Sequence, residues 1–331
     1  MKRILSGVKP TGKMTLGNYL GSFRNFSSFQ DENEVFIFVA DLHALTLPID
    51  PKFLNDNIYD IIAYYLASGL DPEKTTLFKQ SDVYEVSVLD TILINYIYMG
   101  ELSRMIQFKQ KAAELNQKEI GVGIFTYPVL MASDIFLYDT DLVPVGEDQR
   151  QHVELAHDIA RRFNARYKEE LIKLPKAVTP KVGKRIMSLT DPLHKMSKSD
   201  NPGANKGVIY LQDDEKTIRK KIMSAVTDSD SLVKYDPINK PGVSNLLTIY
   251  SAFKNIEVEQ AEKEFANANY GTFKKAVADA VLAELLPFQE KFKKYRGNKD
   301  YLNEIFKQGA IKAKKVADPI LDKIMKAVGL R

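Results

Sequence analysis

Residues 34–40 read EVFIFVA, a nearly continuous apolar run that is typical of a strand buried on both faces of a parallel sheet. Before it, residues 3–8 form a second β-rich segment, which leads through the turn Pro10-Thr11-Gly12 into an apolar-periodic stretch at 16–29. A strand, a turn with glycine, a helical stretch and a buried strand in this order predict a βαβ unit.

The same alternation continues along the chain to residue 164. The sequence predicts helices at 51–69, 83–98 and 148–164, with strands at Thr75–Lys79 and 142–145 between them. We therefore predict an α/β fold with a Rossmann-type doubly wound parallel sheet, followed by a C-terminal helical domain. The helices predicted for that second domain are 213–226, 242–254, 256–267, 271–295 and 299–327, the fourth bent or interrupted at Pro287.

Composition and charge divide the chain at a similar place. Its 331 residues suffice for two domains of ordinary size or one large one, and 44% apolar with 27% charged residues exclude a disordered or low-complexity chain. Residues 1–200 contain 24 basic and 26 acidic side chains, whereas 201–331 contain 23 and 17. We predict a Rossmann-type domain at 1–200, ending in a mobile basic loop, and a basic helical domain at 201–331. A basic surplus can meet a polyanion, but alone it is weak evidence, because a modest surplus is common on solvated helical faces.

Several classes of protein are excluded by what the sequence lacks. It has no cysteine, which rules out disulfides and thiolate catalysis, and its four histidines form no HExxH pair, so we expect no metal site made by the protein. No apolar run approaches the roughly 20 residues that span a bilayer. The start, MKRILSGVKPTG, has no signal-peptide core. We expect a cytoplasmic protein without a membrane segment.

Three short motifs contain residue types that suit a nucleotide. TLGN at 15–18 stands where the first strand passes into the first helix, a place that favours phosphate. KMSKS at 195–199 brings two lysines to a loop, where they could clamp pyrophosphate. GEDQ at 146–149 follows a strand and could bind ribose hydroxyls. Taken singly, each has an ordinary structural explanation: a packing turn, a solvated charged loop and a capped helix.

Together, the three motifs resemble the signatures of class I aminoacyl-tRNA synthetases. TLGN matches the variant "HIGH" signature of the tryptophanyl and tyrosyl branch, and KMSKS matches its signature letter for letter. Most of the chain is similar to bacterial-type tryptophanyl enzymes. The other segments that carry this likeness are SG and PTG within 6–12, ADLHA at 40–44, GEL at 100–102, QFK at 107–109, YPVLMA at 127–132, VPVGEDQ at 143–149, 181–199, AVTDS at 225–229 and PGVSNLL at 241–247.

The resemblance implies ATP-dependent attachment of L-tryptophan to tRNA(Trp) through a tryptophanyl-adenylate, with release of pyrophosphate and AMP. It implies Mg²⁺ held mainly by the ATP phosphates, a homodimer, catalysis of activation within 1–200 and tRNA binding by 201–331. The catalytic residues would be Lys195 and Lys198. The ATP-binding residues would be Lys9, Pro10, Thr11, Gly17, Asn18, Gly146, Glu147, Asp148, Ile186, Lys195, Met196, Ser197, Lys198 and Ser199. The tryptophan-binding residues would be His43, Tyr127, Met131, Asp134, Val143, Val145 and Gln149.

The choice of tryptophan as substrate depends on Asp134. Indole has one N–H donor and no acceptor, so a selective pocket needs one buried acceptor in an apolar box. Residues 127–139 predict a helix with Asp134 as the single charge in its apolar middle, and Met131 one turn earlier could pack on the ring. Two alternatives stay open: Asp134 could face solvent at a helix edge, and His43 could be a satisfied core histidine.

Two positions depart from the family pattern, and two other functions remain open. Lys9 stands where glutamine is usual, which leaves its role open although we expect it to face the phosphates, and Leu5 replaces a frequent aromatic in the pocket wall.

A nucleotidyltransferase of the same superfamily would lack the helical domain after KMSKS. A non-catalytic paralogue that senses tryptophan or binds RNA would be expected to lose Gly17, Asn18 or the KMSKS lysines, all of which are present.

Overall fold

The structure is a computed structural model. It describes residues 1–114, 120–146, 149–178, 185–196 and 206–331.

The described residues contain a five-stranded, wholly parallel sheet in the order β3-β2-β1-β4-β5. Its strands are β1 (Lys2–Val8), β2 (Asn33–Val39), β3 (Thr75–Lys79), β4 (Leu142–Pro144) and β5 (Lys176–Val178). The strand order reverses between β1 and β4, and in open α/β sheets ligands bind at the carboxyl ends of the strands beside such a reversal. The predicted α/β fold with a Rossmann-type sheet is confirmed.

Helices connect the strands and make up most of the chain after residue 213. The α-helices are α1 (Leu16–Asn18), α2 (Arg24–Phe26), α3 (Asp41–Ala44), α4 (Pro51–Ala67), α5 (Glu85–Leu93), α6 (Met99–Leu102), α7 (Ile106–Glu114), α8 (Val122–Leu137), α9 (Arg150–Tyr167), α10 (Glu215–Met223), α11 (Pro241–Lys254), α12 (Val258–Glu264), α13 (Tyr270–Arg296) and α14 (Lys299–Ala327). A π-helix covers Tyr19–Phe23, and 3₁₀ turns cover Gln80–Asp82 and Ile94–Tyr96. None of the helices in the described ranges is long and apolar enough to cross a membrane.

The chain forms two compact units that do not follow its linear order. Unit 1 comprises Met1–Thr11, Ser27–Pro180 and Tyr295–Arg331, and unit 2 comprises Gly12–Phe26 and Lys181–Lys294. The two units therefore do not divide at residue 200, the boundary that the sequence suggested, because the last helix belongs to the same unit as the sheet. The division of function between 1–200 and 201–331 stays a prediction.

Unit 1 is built around the buried strands. Val35, Phe36 and Ile37 of β2 are each 1% exposed, and burying an apolar side chain of this size contributes roughly 1.5–3 kcal/mol. The helix α4 begins where Asp50 accepts a hydrogen bond from the backbone of Phe53 at 2.8 Å, which caps its N-terminus. α14 lies against the edge strand β3 and shields the side of that strand that has no neighbouring strand.

Unit 2 is mainly helical, and its parts are joined by polar contacts as well as apolar ones. The helix α10 begins at the cap Asp214, whose side chain accepts from the backbone of Thr217 at 2.6 Å. The amide nitrogen of Gln289 in α13 donates to the carbonyls of Leu211 and Asp213 at 2.9 and 2.8 Å. These bonds tie the segment before α10 to α13.

Several observed elements differ from the prediction. The stretch 16–29 is not one α-helix, since the π-helix interrupts it, and the helix predicted at 83–98 ends at Leu93. The helix α13 continues through Pro287, so of the predicted bend or interruption there, the interruption is not found. The short strand β5 was missing from the prediction, because KAV is mostly exposed and too short to show a period.

Candidate active site

Polar residues of unit 1 follow three neighbouring strands where each strand ends. Lys9 comes directly after β1, Asp41 two residues after β2 and Gln80 directly after β3. The parallel register brings these ends to one edge of the sheet. The helix α8 adds Asp134 to the same group, as the contacts below show.

Asp134 is buried and is hydrogen-bonded by two side chains of unit 1. Its side chain is 2% exposed, which excludes the solvent-facing alternative. The ring nitrogen Nε2 of His43 lies 2.9 Å from Asp134 Oδ2, and the amide nitrogen of Gln80 donates to Oδ1 and Oδ2 at 2.8 and 2.9 Å. The backbone N–H of His43 in turn donates to Gln80 Oε1 at 3.3 Å. Three side chains from α3, the end of β3 and α8 thus form one closed network.

Burial shapes the electrostatics of this network. The pKa of Asp134 is raised above its usual range, because burial outweighs the hydrogen bond and charge of His43 and the hydrogen bond from Gln80, which lower it. Burial also raises the pKa of Asp41, against hydrogen bonds from Ser81 that lower it. The pKa of Asp90 on α5 rises to about 6, through burial first and repulsion by the Asp134 carboxylate second. Several carboxyl groups therefore share a region of low polarity.

Tyr127 forms a second polar cluster on α8. Its hydroxyl donates to Gln107 Oε1 at 3.0 Å and lies 2.8 Å from Nε2 of the buried His152. The ammonium nitrogen of Lys9 lies 4.9 Å from the centre of the Tyr127 ring, a cation–π geometry. The rings of His43 and Tyr127 meet edge to face at 6.3 Å, which joins this cluster to the Asp134 network.

The remaining residues that were predicted to bind tryptophan also belong to unit 1. Val143 of β4 is part of the main hydrophobic cluster, and Met131 and Val145 pack against that cluster. Gln149 is half-buried at the start of α9. Of the predicted nucleotide residues in unit 1, Pro10 is buried, Lys9 and Thr11 are half-buried, and Gly146 is exposed after β4.

In unit 2, the predicted nucleotide residues Gly17 and Asn18 form the short helix α1. The hydroxyl of Thr15 accepts from the backbone of Asn18 at 3.3 Å, and Asn18 Oδ1 accepts from the backbone of Thr15 at 3.0 Å, a capping box. Because the side-chain oxygen of Asn18 is used in this way, its amide nitrogen is the group that can donate to a ligand. A Cβ at Gly17 would meet the Thr15 hydroxyl oxygen at 3.5 Å, an ordinary contact, so packing within the protein does not itself require glycine at this position.

The described part of the basic segment, residues 185–196, forms a hydrogen-bonded turn. Met187 and Lys195 stand opposite each other in an antiparallel bridge, and the backbone of Met196 donates to the carbonyl of Ile186 at 2.9 Å. Ile186 and Met196 are buried, whereas Lys195 is exposed. Five predicted site residues lie outside the described ranges: Glu147, Asp148, Ser197, Lys198 and Ser199.

Two residues of the network were not singled out from the sequence. Gln80 carries a usable signal, since it is a polar residue directly at the carboxyl end of a buried strand. His152 carries none, because its partner Tyr127 lies 25 residues away on another helix. Among the described residues, no three His, Cys, Asp or Glu side chains are grouped so that they could hold a metal ion.

Comparison with known proteins agrees with this geometry. A family model described as "tRNA synthetases class I (W and Y)" matches residues 1–285, so the chain belongs to the class I tRNA synthetases of this family. It is similar to the tryptophan–tRNA ligase of Bacillus anthracis, with 47% identity over 331 residues, covering 100% of this chain and 98% of the relative.

Solved structures give the same picture. The tryptophanyl-tRNA synthetase of Mycoplasma pneumoniae superimposes with a TM-score of 0.92 at 38% identity, over 100% of this chain and 98% of its own. The tryptophanyl-tRNA synthetase of Campylobacter jejuni, solved with ADP and tryptophan, superimposes with a TM-score of 0.82 at 35% identity, over 99% of each chain.

Proposed function

We propose that this chain attaches L-tryptophan to tRNA(Trp) at the expense of ATP. The observation that carries the choice of amino acid is the buried Asp134 carboxylate, held by His43 and Gln80 within an apolar helix. Such a carboxylate can accept the indole N–H, the one polar hydrogen of the tryptophan side chain. Val143 belongs to the main hydrophobic cluster, Met131 and Val145 pack against it, and these three side chains would provide apolar walls.

The reaction has two steps, and neither needs a nucleophilic side chain. First, a carboxylate oxygen of tryptophan forms a bond to the α-phosphorus of ATP. The bond from that phosphorus to the bridging oxygen of the β-phosphate breaks, and pyrophosphate leaves with the electron pair. Second, a hydroxyl of the terminal ribose of tRNA attacks the acyl carbon, loses its proton, and AMP leaves. Positioning and charge stabilisation supply most of such catalysis.

Each predicted site residue is given a role according to the part of ATP or tryptophan that it would contact. Lys195 and Lys198 would stabilise the departing pyrophosphate, with Ile186, Met196, Ser197 and Ser199 forming the rest of that loop. Gly17, Asn18, Gly146, Glu147 and Asp148 are proposed to bind the remainder of ATP, and Pro10 and Thr11 complete the proposed ATP-binding set. Lys9 is beside Tyr127 at 4.9 Å and would meet the charge where carboxylate and phosphate join. His43, Tyr127 and Gln149 complete the proposed tryptophan set.

Mg²⁺ accompanies the triphosphate in this proposal. Its main ligands would be the phosphate oxygens, because Mg²⁺ is usually bound through substrate phosphates with only one or two carboxylates. The ion would neutralise charge on the leaving pyrophosphate. A cytoplasmic location also remains a proposal.

We also propose a homodimer. An apolar groove of about 490 Å³ in unit 1 is lined by residues from the 3₁₀ turn after α5 to α8, among them Ile94, Met99 and Val122. Met99 is 75% exposed and Val122 74%, which is unusual for large apolar side chains near one another. A second copy of the same surface would cover them, as in a two-fold symmetric interface. Light scattering of the wild type and of Met99→Asp tests this, and two equal monomeric masses would contradict it.

The activity is tested by ATP–pyrophosphate exchange without RNA. The proposal expects exchange that requires L-tryptophan and is not supported by L-tyrosine, followed by charging of tRNA(Trp). A nucleotidyltransferase would act without tryptophan. A non-catalytic sensor would bind tryptophan and give no exchange, and either result would reject the proposal.

A further inference from the structure

The bridge between Met187 and Lys195 has a defined hydrogen-bond pattern. The backbone bonds that flank the pair join Met196 N–H to the Ile186 carbonyl at 2.9 Å and Ser188 N–H to the His194 carbonyl at 2.8 Å. Met187 and Lys195 are therefore a non-hydrogen-bonded antiparallel pair. In such a pair the N–H and C=O of Met187 point away from the Lys195 side, toward the outer edge of the turn.

Both outward groups of Met187 are taken by one side chain. Asn245 Oδ1 accepts from the Met187 N–H at 2.9 Å, and Asn245 Nδ2 donates to the Met187 carbonyl at 2.9 Å. Asn245 lies on α11 and is only 4% exposed, so water does not readily replace it. Its amide thus occupies the position of a neighbouring strand at this edge, and an unpaired buried backbone group would be unfavourable.

The helix that carries Asn245 is itself fixed against the same edge. A Cβ at Gly242 would lie 2.0 Å from the carbonyl oxygen of Val226, so α11 begins in direct contact with that backbone. The N–H of Val226 donates to the carbonyl of Leu189 at 2.8 Å. The outer edge is therefore held at Met187 by Asn245 and two residues later by Val226.

We infer that Asn245 is a positioning residue for activation, acting through Met187 on Lys195, the residue paired with it in the bridge. This inference rests on the proposed role of Lys195 and Lys198 in stabilising pyrophosphate. A charge contact displaced by about 1 Å can lose up to about a hundredfold in rate. A side chain that fixes the register opposite Lys195 therefore matters for the rate, without touching the substrate.

Asn245→Asp is the sharpest variant, because it has the same shape and keeps the acceptor. It loses the donor to the Met187 carbonyl and places a carboxylate oxygen there instead. We expect kcat/KM for ATP in tryptophan-dependent pyrophosphate exchange to fall by about tenfold or more. The KM for tryptophan should change by less than about twofold, since the Asp134 network is built from other elements. Transfer from preformed tryptophanyl-adenylate to tRNA should be unchanged, because pyrophosphate has already left.

Ser244→Ala is the matched control. Ser244 is the preceding residue on α11, is 4% exposed like Asn245, and accepts one backbone hydrogen bond, from Asp236 at 2.8 Å. Its loss should leave exchange at the wild-type rate. A double-mutant cycle with Lys195→Ala adds a direct test: in that background Asn245→Asp should have little further effect on exchange.

Equal losses in Asn245→Asp and Ser244→Ala, a parallel loss in the transfer step, or full additivity with Lys195→Ala would each overturn the inference. If Asn245→Asp does not fold, as judged by circular dichroism, Asn245→Ser is put through the same assays. A wild type without tryptophan-dependent exchange rejects the proposed function. An active wild type with an equally active Asn245→Asp rejects only the role of Asn245.

Discussion

Gln80 and Asp134 lie 54 residues apart in the sequence and meet side chain to side chain, with the Gln80 amide nitrogen 2.8 Å from Asp134 Oδ1 and 2.9 Å from Oδ2. His43 contacts only Oδ2. Since each carboxylate oxygen can accept two hydrogen bonds, Oδ1 keeps acceptor capacity among the contacts that the described residues make. A carboxylate held in this way is oriented before any ligand arrives.

Asp134→Ala should abolish discrimination on the indole nitrogen. A site that hydrogen-bonds a substrate N–H rejects an analogue lacking it by roughly 10⁴ to 10⁵, since its own polar group is left unpaired. The wild type should therefore use a tryptophan analogue with sulfur in place of that nitrogen very poorly, and in Asp134→Ala the two compounds should converge. Pyrophosphate exchange with each compound measures this, and the KM for ATP serves as the control. An undiminished preference would move the acceptor elsewhere, to Gln149 or Gln107 first.

The burial of Asp134 could be predicted from the sequence, whereas its hydrogen bond with Gln80 could not. A single charge in an apolar helix is a local pattern, whereas the pairing with Gln80 depends on how two distant segments meet. For the same reason β2 and β3 were predicted to within a residue and β5 was not. The π-helix at Tyr19–Phe23 had no sequence signal, since Tyr19 is fixed there by the rings of Phe253 and Phe288 in unit 2.

Lys198→Ala should slow activation and leave tryptophan binding nearly intact. Removing one preorganised charge contact to a departing group costs on the order of 3 kcal/mol, roughly a hundredfold in rate. Single-turnover formation of tryptophanyl-adenylate measures the effect. Equilibrium dialysis with radiolabelled tryptophan, which measures tryptophan binding, is the control. An unchanged rate would remove this loop from the mechanism.

The basic segment 291–299 should contribute to tRNA binding through its exposed lysines and not through its arginine. Arg296 is held by Asp60 at 2.5 Å and Asp56 at 3.1 Å, whereas Lys291 and Lys294 are exposed. Changing both lysines to Gln should weaken tRNA binding and reduce its salt dependence by about one unit of slope per lost phosphate contact. Binding measured from low to high salt tests this. Arg296→Gln is the comparison, and equal losses of slope in both variants would contradict the distinction.

Asp228 should stabilise unit 2 at neutral pH and lose this effect in acid. Burial raises the pKa of Asp228, but hydrogen bonds from Tyr270 at 2.5 Å and Lys240 at 2.9 Å outweigh it and hold the pKa at about 2. The folded-state pKa is below the ordinary value of 3.8, so the stabilisation is present above about pH 4 and is lost as the pH falls toward 2.

The variant that tests this is Asp228→Asn. Its thermal midpoint should be lower than that of the wild type at pH 7, by an amount equivalent to about 1 kcal/mol because solvent screens part of the interaction, and the two midpoints should converge in acid. Asp230→Asn is the control, since Asp230 also contacts Lys240 but its side chain is 65% exposed. A gap between wild type and Asp228→Asn that stays constant with pH would exclude the ion pair as its cause.

Gly309→Ala should destabilise unit 1 although alanine favours helices. In α14, a Cβ at Gly309 would lie 1.7 Å from the carbonyl oxygen of Leu77 in β3, so the helix must move away from the edge strand. Overpacking of this kind costs about 1–3 kcal/mol, which exceeds the gain of up to about 1 kcal/mol in helix propensity.

Gly123→Ala in α8 is the matched control, because there the new methyl group would meet Thr46 at an ordinary 3.8 Å. Thermal unfolding should therefore occur earlier in Gly309→Ala and no earlier in Gly123→Ala. If both variants unfold with the wild type, the close approach of α14 to β3 does not limit the side chain at 309.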